Sequence, residues 1–378
     1  MPPRLGFGFM RLPLLDKSVQ TSFDYGLLNS LVDTFLENGF SYFDTALTYH
    51  ETRSEEALRK ALVERHPRER FAVASKLPPR IIREESDQER YFSAQLERCG
   101  VEWFDAYLLH NIGLSAYKNA CHFDSFGFVQ RKKEQGMIRR IGMSFHDTPE
   151  LLDEILSAHP ELDFVQLQIN YLDWENECVQ SRRCYEVARR HKLPIVVMEP
   201  CKGGNLAQVP QKAEALLKAR DANASVPSWA FRFVGSLPGV ETVLSGMNAM
   251  PQLLDNASVF VDFKPLDEED LAMLRQVSDI INSEKAVPCT GCRYCVAGCP
   301  QHIAIPEYFS LYNNARRSVT QRSSLLSYYL NLTSRFGKAG DCQACGACQK
   351  ACPQHIDIPS FLKEVSATFD GRSLRTPK

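Results

Sequence analysis

The chain has 378 residues, enough for one large domain of about 250 residues and a second, smaller domain. Its hydrophobic content of 44% and charged content of 24% are typical of globular proteins, and a formal net charge of −2 argues against binding to nucleic acid or membranes through bulk charge. The sequence shows no leader pattern and no apolar run of about 20 residues. Because thirteen cysteines without an export signal indicate a reducing compartment, we expect a cytoplasmic protein with neither nucleic acid nor membrane as partner.

Residues 1–264 alternate between short β-branched or aromatic runs and charged, helix-forming segments. The predicted strands are Leu5–Leu12, Phe40–Asp44, Phe71–Lys76, Phe104–His110, Arg140–Ser144, Phe164–Ile169, Ile195–Met198 and Thr242–Leu244. The predicted helices are Phe23–Asn38, Ser54–Arg65, Asp87–Cys99, Phe126–Gln135, Thr148–Ala158, Cys178–Lys192, Gln211–Asp221, Val226–Val234 and Pro251–Phe260. This alternation favours a (β/α)8 TIM barrel. The alternative is a doubly wound sheet, but the glycine-rich phosphate turn of that fold is missing, because Gly6 and Gly8 lie inside the first predicted strand.

Four polar side chains follow the predicted strands at the end of a TIM barrel where active sites lie. Asp44 ends the second strand and Tyr49 follows it, Lys76 ends the third, and His110 ends the fourth. An ammonium beside a phenol favours the phenolate and lowers a pKa of about 10, which makes the hydroxyl a better acid. The carboxylate would keep the lysine charged, and the histidine would hydrogen-bond a carbonyl oxygen. The alternative is a structural ion pair, a rim aromatic residue and a core histidine.

The segments that carry these residues resemble the aldo-keto reductases in order and spacing. They are Phe43-Asp44-Thr-Ala-Leu-Thr-Tyr49, Ala74-Ser-Lys76, Tyr107-Leu-Leu-His110, Ile141-Gly-Met-Ser144 and Gln168-Ile-Asn-Tyr171. The resemblance implies an enzyme that reduces a carbonyl compound or oxidises an alcohol. It also implies that Tyr49 is the general acid, that Lys76 tunes it, that Asp44 pairs with Lys76 and that His110 orients the carbonyl.

The same resemblance implies a nicotinamide pocket, with departures from the family pattern. Ser144 and Gln168 match the residues that bind the carboxamide, but Phe145 replaces the asparagine that usually follows the serine. Met198 takes the place of the aromatic residue that usually stacks on the nicotinamide ring.

The nucleotide stretch after the eighth strand departs further. Residues 245–256, which include Gly246 and Asn256, match this stretch but contain no arginine or lysine. Because a 2′-phosphate needs cationic donors, the sequence favours NAD(H) over NADP(H). Lys202 is the nearby cation that could reach a 2′-phosphate from another direction.

The C-terminal part contains two copies of the run C-x2-C-x2-C-x3-C-P, which resembles that of bacterial-type ferredoxins. In those proteins three cysteines of one copy bind one cubane, and the fourth binds the other cluster. We therefore predict two [4Fe–4S] clusters, one held by Cys289, Cys292, Cys295 and Cys352, the other by Cys342, Cys345, Cys348 and Cys299. Structural zinc is less consistent with four cysteines in each short run.

The two patterns divide the chain into regions. We expect a barrel over 1–264, a connecting helix over 265–284, a two-cluster domain over 285–362 and a C-terminal tail over 363–378. The segment between the cysteine runs, Glu307–Arg335, has a helical pattern, so the second domain resembles an α-helical ferredoxin. The whole chain resembles a branch of the aldo-keto reductases with a fused C-terminal ferredoxin domain.

The electron route is open at this point. Nicotinamide transfers two electrons as hydride, whereas each cubane transfers one, and a flavin is the usual intermediary. The leading hypothesis is an oxidoreductase that reduces a small carbonyl compound, or oxidises the alcohol, in the barrel. Its electrons would come from a nicotinamide, from the clusters or from both, and the clusters would exchange electrons with the barrel site or with an external carrier. The alternative is an electron-transfer or redox-sensing protein whose barrel is a binding scaffold.

Overall fold

In the computed structural model, which describes residues 4–176, 178–283, 286–317 and 322–372, eight parallel strands close into a barrel in chain order. The strands are β1 (Arg4–Gly8), β2 (Tyr42–Asp44), β3 (Ala72–Leu77), β4 (Phe104–Ile112), β5 (Ile138–Phe145), β6 (Phe164–Gln168), β7 (Ile195–Met198) and β8 (Val240–Ser245). The last strand pairs with the first, with Leu5 opposite Val243. The predicted TIM barrel is confirmed, and the doubly wound alternative is excluded.

Helices follow the strands and continue into the C-terminal region. They are α1 (Tyr25–Glu37), α2 (Ser54–Leu58), α3 (Glu85–Cys99), α4 (Leu114–His122), α5 (Ser125–Glu134), α6 (Pro149–Ala158), α7 (Ser181–Arg190), α8 (Gln211–Arg220), α9 (Val226–Gly235), α10 (Met250–Val261), α11 (Glu268–Ser283), α12 (Tyr294–Ala297), α13 (Ile305–Arg317), α14 (Arg322–Thr333), α15 (Ala347–Ala351) and α16 (Ile358–Phe369). The predicted helix over Ser54–Arg65 is α2 continued by a π-helical turn at Arg59–Val63. No helix in the described ranges is long and apolar enough to cross a membrane.

The barrel is filled by side chains in its interior and packed against helices on its outside. Inside, a small cluster contains Phe164 with alanine, valine and leucine side chains from neighbouring strands. Gly142 makes room for this ring, because a Cβ at Gly142 would lie 2.4 Å from the tip of Phe164. Outside, helices such as α1 bury one apolar face, including Leu31 and Phe35, against the strands. The interior is therefore a packed core, and ligands must bind at an end of the barrel.

The helix expected to connect the two parts packs on the barrel itself. In α11, Leu274, Val277 and Ile281 are buried in the barrel core. Arg220 of α8 also forms ion pairs with Asp270 and other acids near the start of α11. This helix therefore extends the barrel, rather than acting only as a link.

The C-terminal region has its own core, formed largely by α13, α14 and α16. Tyr329 stacks on Phe369 with ring centroids 5.0 Å apart, and Val365 is fully buried. The expected boundary at residue 362 cuts through α16, because its apolar face continues to Phe369. Residues 373–378 of the expected tail lie outside the described part of the chain.

This second core rests on the barrel end that carries the loops after β4 and β5. The amide Nδ2 of Asn111, beyond His110, donates to Ser327 Oγ of α14 at 3.0 Å. Asn331 Nδ2 donates to the backbone carbonyl of His146 at 2.8 Å. Arg335 Nη1 lies 2.6 Å from Asp147 Oδ1. Polar contacts of α14 and of Arg335, just beyond its end, therefore cover one side of the barrel mouth.

Candidate active site

The four predicted catalytic residues lie together at the carboxyl end of the barrel. Lys76 Nζ is 2.5 Å from Asp44 Oδ1, 2.8 Å from the carbonyl of Thr45 and 3.4 Å from the phenolic oxygen of Tyr49. The rings of Tyr49 and His110 meet edge to face, with centroids 5.8 Å apart. The lysine is 1% exposed, so its ammonium depends on these three oxygen atoms for solvation.

The turn that presents Tyr49 is held by its neighbour, His50. Residues 50–52 have positive φ angles of 47°, 53° and 74°, a conformation that non-glycine residues adopt rarely. The ring of His50 secures this turn from both sides: Nε2 accepts from Leu12 N at 3.3 Å, and Nδ1 lies 2.8 Å from the carbonyl of Gln20. His50 therefore supports the turn that carries the phenol.

Burial controls the proton affinities in this group. Burial raises the pKa of Tyr49 and outweighs the Lys76 ammonium, which lowers it. The direction is the opposite of the lowering expected from the sequence, because desolvation of the partly buried phenol disfavours the phenolate by more than the ammonium favours it. For Lys76, burial disfavours the charged form, but the charges of Asp44 and Tyr49 raise its pKa above the usual value. The site thus holds a protonated phenol beside a charged ammonium at neutral pH.

His110 is neutral in this environment. Burial first, and then the Lys76 ammonium, hold the pKa of its imidazole well below the usual value. Its Nδ1 is buried without a hydrogen-bond partner among the described residues. A neutral imidazole can donate from one nitrogen and accept at the other, so this side chain can bind a carbonyl or alcohol oxygen without bringing a charge.

These residues open into a cavity of about 1070 Å³ at the barrel mouth, large enough for a substrate and part of a cofactor. Three of the predicted cofactor residues, Ser144, Met198 and Gly246, line it together with the tetrad. A Cβ on Gly246 would lie 3.2 Å from the Cβ of Arg11, so the glycine keeps this edge of the cavity open. The residues present are consistent with a nicotinamide nucleotide bound across the mouth.

Two other predicted cofactor residues do not face this cavity. Gln168 Nε2 donates to Asp173 Oδ2 at 3.0 Å, and Asn256 Nδ2 donates to Ser245 Oγ at 3.0 Å. Instead of Gln168, the strand presents Gln166, two positions earlier. Asn256 therefore holds Ser245, the residue before Gly246, and does not itself line the cavity.

Lys202 does not serve the role suggested for it. Its side chain is buried and forms an ion pair with Asp173, which also accepts from Gln168 and Asn170. A buried, paired ammonium cannot move out to a 2′-phosphate without leaving a buried carboxylate unpaired. The proposal that Lys202 rescues NADPH binding is therefore wrong.

Two charged residues at the mouth, Arg11 and Arg80, were not identified from the sequence, whereas Glu199 was expected there as the polar residue that follows the seventh strand. Arg11 Nη2 is 3.0 Å from Glu199 Oε1, and both line the cavity. Arg80, in the turn after β3, lines it near His110. In the sequence, Arg11 and Arg80 share one feature, which is that each follows a barrel strand. This feature alone does not distinguish residues that line the cavity from residues on its rim.

The cysteines surround two separate cavities in the C-terminal region. One is lined by Cys289, Cys292, Cys295 and Cys352, and the other by Cys299, Cys342, Cys345 and Cys348. Each cavity combines three cysteines of one copy with the last cysteine of the other. Across the described ranges no three His, Cys, Asp or Glu side chains converge closely enough for a single metal ion. Four thiols around an open space are the donor set of a cubane, so these residues fit two [4Fe–4S] clusters.

The family of the chain follows from this fold and site. The sequence model of the aldo/keto reductase family matches residues 4–279, and the model of a 4Fe-4S dicluster domain matches residues 288–357. The chain belongs to the aldo/keto reductase family and is an oxidoreductase with a C-terminal 4Fe-4S domain. An aldo-keto reductase from Mycolicibacterium vanbaalenii is 28% identical over 241 residues, which are 63% of this chain and 79% of that protein.

Solved structures share the barrel. Aldo-keto reductase AKR11C1 from Bacillus halodurans, in its holo form, is similar with a TM-score of 0.58 and 21% identity, over 72% of this chain and 91% of that chain. An aldo-keto reductase from Klebsiella pneumoniae in complex with NADPH is similar with a TM-score of 0.57 and 20% identity, over 73% and 91%. At these identities the likeness concerns the fold.

Proposed function

We propose that the chain reduces a small carbonyl compound, or oxidises the corresponding alcohol, with Tyr49 as the proton donor. The observation that carries this proposal is the position of Lys76, whose Nζ lies 2.5 Å from Asp44 Oδ1 and 3.4 Å from the phenolic oxygen of Tyr49. An ammonium in this position stabilises the phenolate that remains after proton transfer. The proposal includes a cytoplasmic location, where thiols remain available to bind metal.

The side chains divide the work of such a reaction. The hydroxyl of Tyr49 donates to the carbonyl oxygen, and His110 binds the same oxygen and fixes its orientation. Lys76 holds the charge that develops on the phenol, and Asp44 keeps Lys76 ionised inside the barrel. The chemistry that a bound nicotinamide supplies is hydride transfer. Ser144, beside the end of β4, would hold its carboxamide, and its Oγ already accepts from Asn111 N at 2.8 Å.

The nucleotide and the clusters are part of the same proposal. NAD(H) is favoured over NADP(H), because residues 245–256 contain no cation and Arg11 is already paired with Glu199. The two cysteine sets that line separate cavities would each hold one [4Fe–4S] cluster, which supplies one-electron transfer. An external electron carrier would then exchange electrons with the clusters. A flavin has no support in the described residues.

A test of the function is steady-state reduction of an aldehyde panel by the purified protein with its clusters intact. NADH and chemically reduced clusters serve as separate electron sources. NADH-dependent alcohol formation supports the nicotinamide route, and formation only with reduced clusters assigns the electrons to them. Failure of both sources on every aldehyde and ketone tried would refute the catalytic proposal.

The second candidate is an electron-transfer or redox-sensing protein with little catalysis of its own. One observation favours it: Gln168, which matches a carboxamide-binding position, donates to Asp173 and does not face the cavity. This candidate predicts that the clusters exchange electrons with a carrier at rates that substitution of Tyr49 leaves unchanged. The catalytic proposal predicts instead that alcohol formation depends on Tyr49.

A further inference from the structure

Arg80 is a cation at the active-site cavity that the proposed reaction does not use. It lies in the turn Pro79–Ile81 that follows β3, and its side chain lines the same cavity as Tyr49 and His110. It is half-buried and reaches the cavity from a short turn, with Pro78 and Pro79 directly before it in the chain. It therefore sits where it can contact the substrate.

Within the described ranges, no carboxylate forms an ion pair with Arg80. The contact found for Arg80 among the described residues is a hydrogen bond from Nη2 to the amide oxygen of Asn331 at 2.5 Å, and its buried Nε has no partner there. Asp147 is the acid that acts on it electrostatically. That carboxylate is already engaged by Arg335 and by the backbone amides of Leu114 and Thr148.

Three other buried or half-buried cations described at this end of the barrel are each paired with a carboxylate. Lys76 has Asp44, Lys202 has Asp173, and Arg11 has Glu199. Arg80 lines the same cavity, but in the described part of the chain its guanidinium contacts a neutral amide and its Nε has no partner. A guanidinium remains charged even when burial lowers its pKa, and its planar fork matches the two oxygens of a carboxylate. Burial of such a charge costs free energy unless an anion pairs with it.

Arg80 lies away from the edge of the cavity formed by Gly246 and Arg11, where the nucleotide is proposed to bind. Gly246 and Arg11 lie at the junction of β8 and β1, whereas Arg80 follows β3, two strands further round the barrel. Arg80 also lies close enough to His110 and His146 to disfavour positive charge on both imidazoles. An anion bound to Arg80 would therefore lie beside His110, the histidine proposed to orient the carbonyl. This is the part of the cavity where the substrate is expected to bind.

We propose that Arg80 binds a carboxylate of the substrate, so that the substrate is an oxo acid or the corresponding hydroxy acid. This inference rests on the proposed function and adds a substrate class to it. Asn331 is a positioning residue: its Oδ1 holds Arg80 while its Nδ2 donates to the carbonyl of His146. Because Asn331 belongs to α14, the C-terminal domain helps to set the specificity of the barrel site.

The kinetic test compares 4-carboxybenzaldehyde with its neutral methyl ester, using the cluster-containing protein. We expect Arg80→Gln to lower kcat/KM for the acid by about tenfold to a hundredfold and to leave the ester unchanged. Arg80→Lys should recover part of the loss, because it keeps the charge but not the fork. Arg372→Gln is the matched control, since Arg372 lines the same cavity but is exposed. An unchanged acid-to-ester ratio in Arg80→Gln, or an equal loss in Arg372→Gln, overturns the inference.

A binding test separates this inference from the proposed function. Benzoate, benzamide and benzyl phosphate are titrated calorimetrically into the protein, with no turnover required. Benzoate should bind, benzamide should not, and Arg80→Gln should abolish the difference. Benzoate binding through Arg80 without reduction of any carbonyl compound supports the anion site and refutes the proposed reaction. Reduction of the ester without benzoate binding refutes the anion site alone, and tighter binding of benzyl phosphate overturns the carboxylate assignment.

Discussion

Cys352 faces the same cavity as Cys289, although the two cysteines belong to different copies of the repeated run. The last cysteine of the first copy, Cys299, faces the other cavity with Cys342. Each proposed cluster would therefore tie the two copies together, so that loss of one cluster also removes a link between α12 and α15. The two runs are one structural unit, and neither copy holds four ligands alone.

The crossed ligand sets predict how paired substitutions combine. Cys352→Ala should lower the iron content from about eight to about four atoms per chain, through loss of the cluster at Cys289. Adding Cys292→Ala, in the same set, should remove no further iron, whereas adding Cys345→Ala should remove the rest. Iron content and visible absorbance measure the outcome, and Cys121→Ala, an exposed cysteine outside both cavities, is the control. Full iron loss in Cys352/Cys292 would contradict the assignment.

Stability should fall at mildly acidic pH because of His146. Burial, followed by the charge of Arg80, lowers the pKa of His146 to about 4. The unfolded chain takes up this proton near pH 6.5, before the folded chain does, so the folded state loses stability as the pH falls from about 6.5 toward about 4. Between pH 7.5 and pH 5 this single group contributes a loss of about 2 kcal/mol.

The measurement is urea unfolding at pH 7.5 and at pH 5, with the clusters monitored by absorbance. His146→Gln should reduce the loss of unfolding free energy between the two pH values. The same substitution at His122, an exposed residue of α4, controls for removal of an imidazole. A loss of stability that is equal in His146→Gln and in the unsubstituted protein would contradict the prediction.

Nucleotide preference is predicted from the charges at the β8 edge. NADH should bind at least as tightly as NADPH, because a 2′-phosphate finds no unpaired cation in residues 245–256 and Arg11 is held by Glu199. Gln252→Arg, at an exposed position of α10, should raise the affinity for NADPH by about tenfold. Gln252→Met is the neutral control. Calorimetric titration decides, and tighter NADPH binding by the unsubstituted protein would show that Arg11 leaves Glu199 for the phosphate.

The sequence predicted those parts of the molecule that depend on local spacing. The alternation of strands and helices gave the barrel, and the residues at strand ends, such as Asp44 and Lys76, do meet at one end of it. Parallel strands bring their carboxyl ends together whatever their lengths. Errors in the predicted strand boundaries therefore did not change the expected location of these residues. The two cysteine runs could also be recognised, because the spacing of the cysteines within each run is short and local.

Contacts between distant segments could not be predicted in this way. Asn331 and Arg80 are 251 positions apart and meet only because α14 packs over the barrel mouth. Ser54 begins α2, and its hydroxyl donates to the carbonyl of Phe9, 45 positions earlier in the chain. The raised pKa of Tyr49 likewise results from burial, which depends on the assembled cavity and not on the neighbouring residues in the chain.

Tyr49 is the proposed proton donor, and one substitution isolates this role from the rest of the site. Steady-state carbonyl reduction should fall by about a hundredfold to ten-thousandfold in kcat for Tyr49→Phe, with iron content unchanged. Tyr42→Phe is the control, because Tyr42 lies in the barrel next to Asp44 and its buried hydroxyl has no partner in the described structure. We expect loss of turnover in Tyr49→Phe and full turnover in Tyr42→Phe. Undiminished reduction by Tyr49→Phe would contradict this expectation.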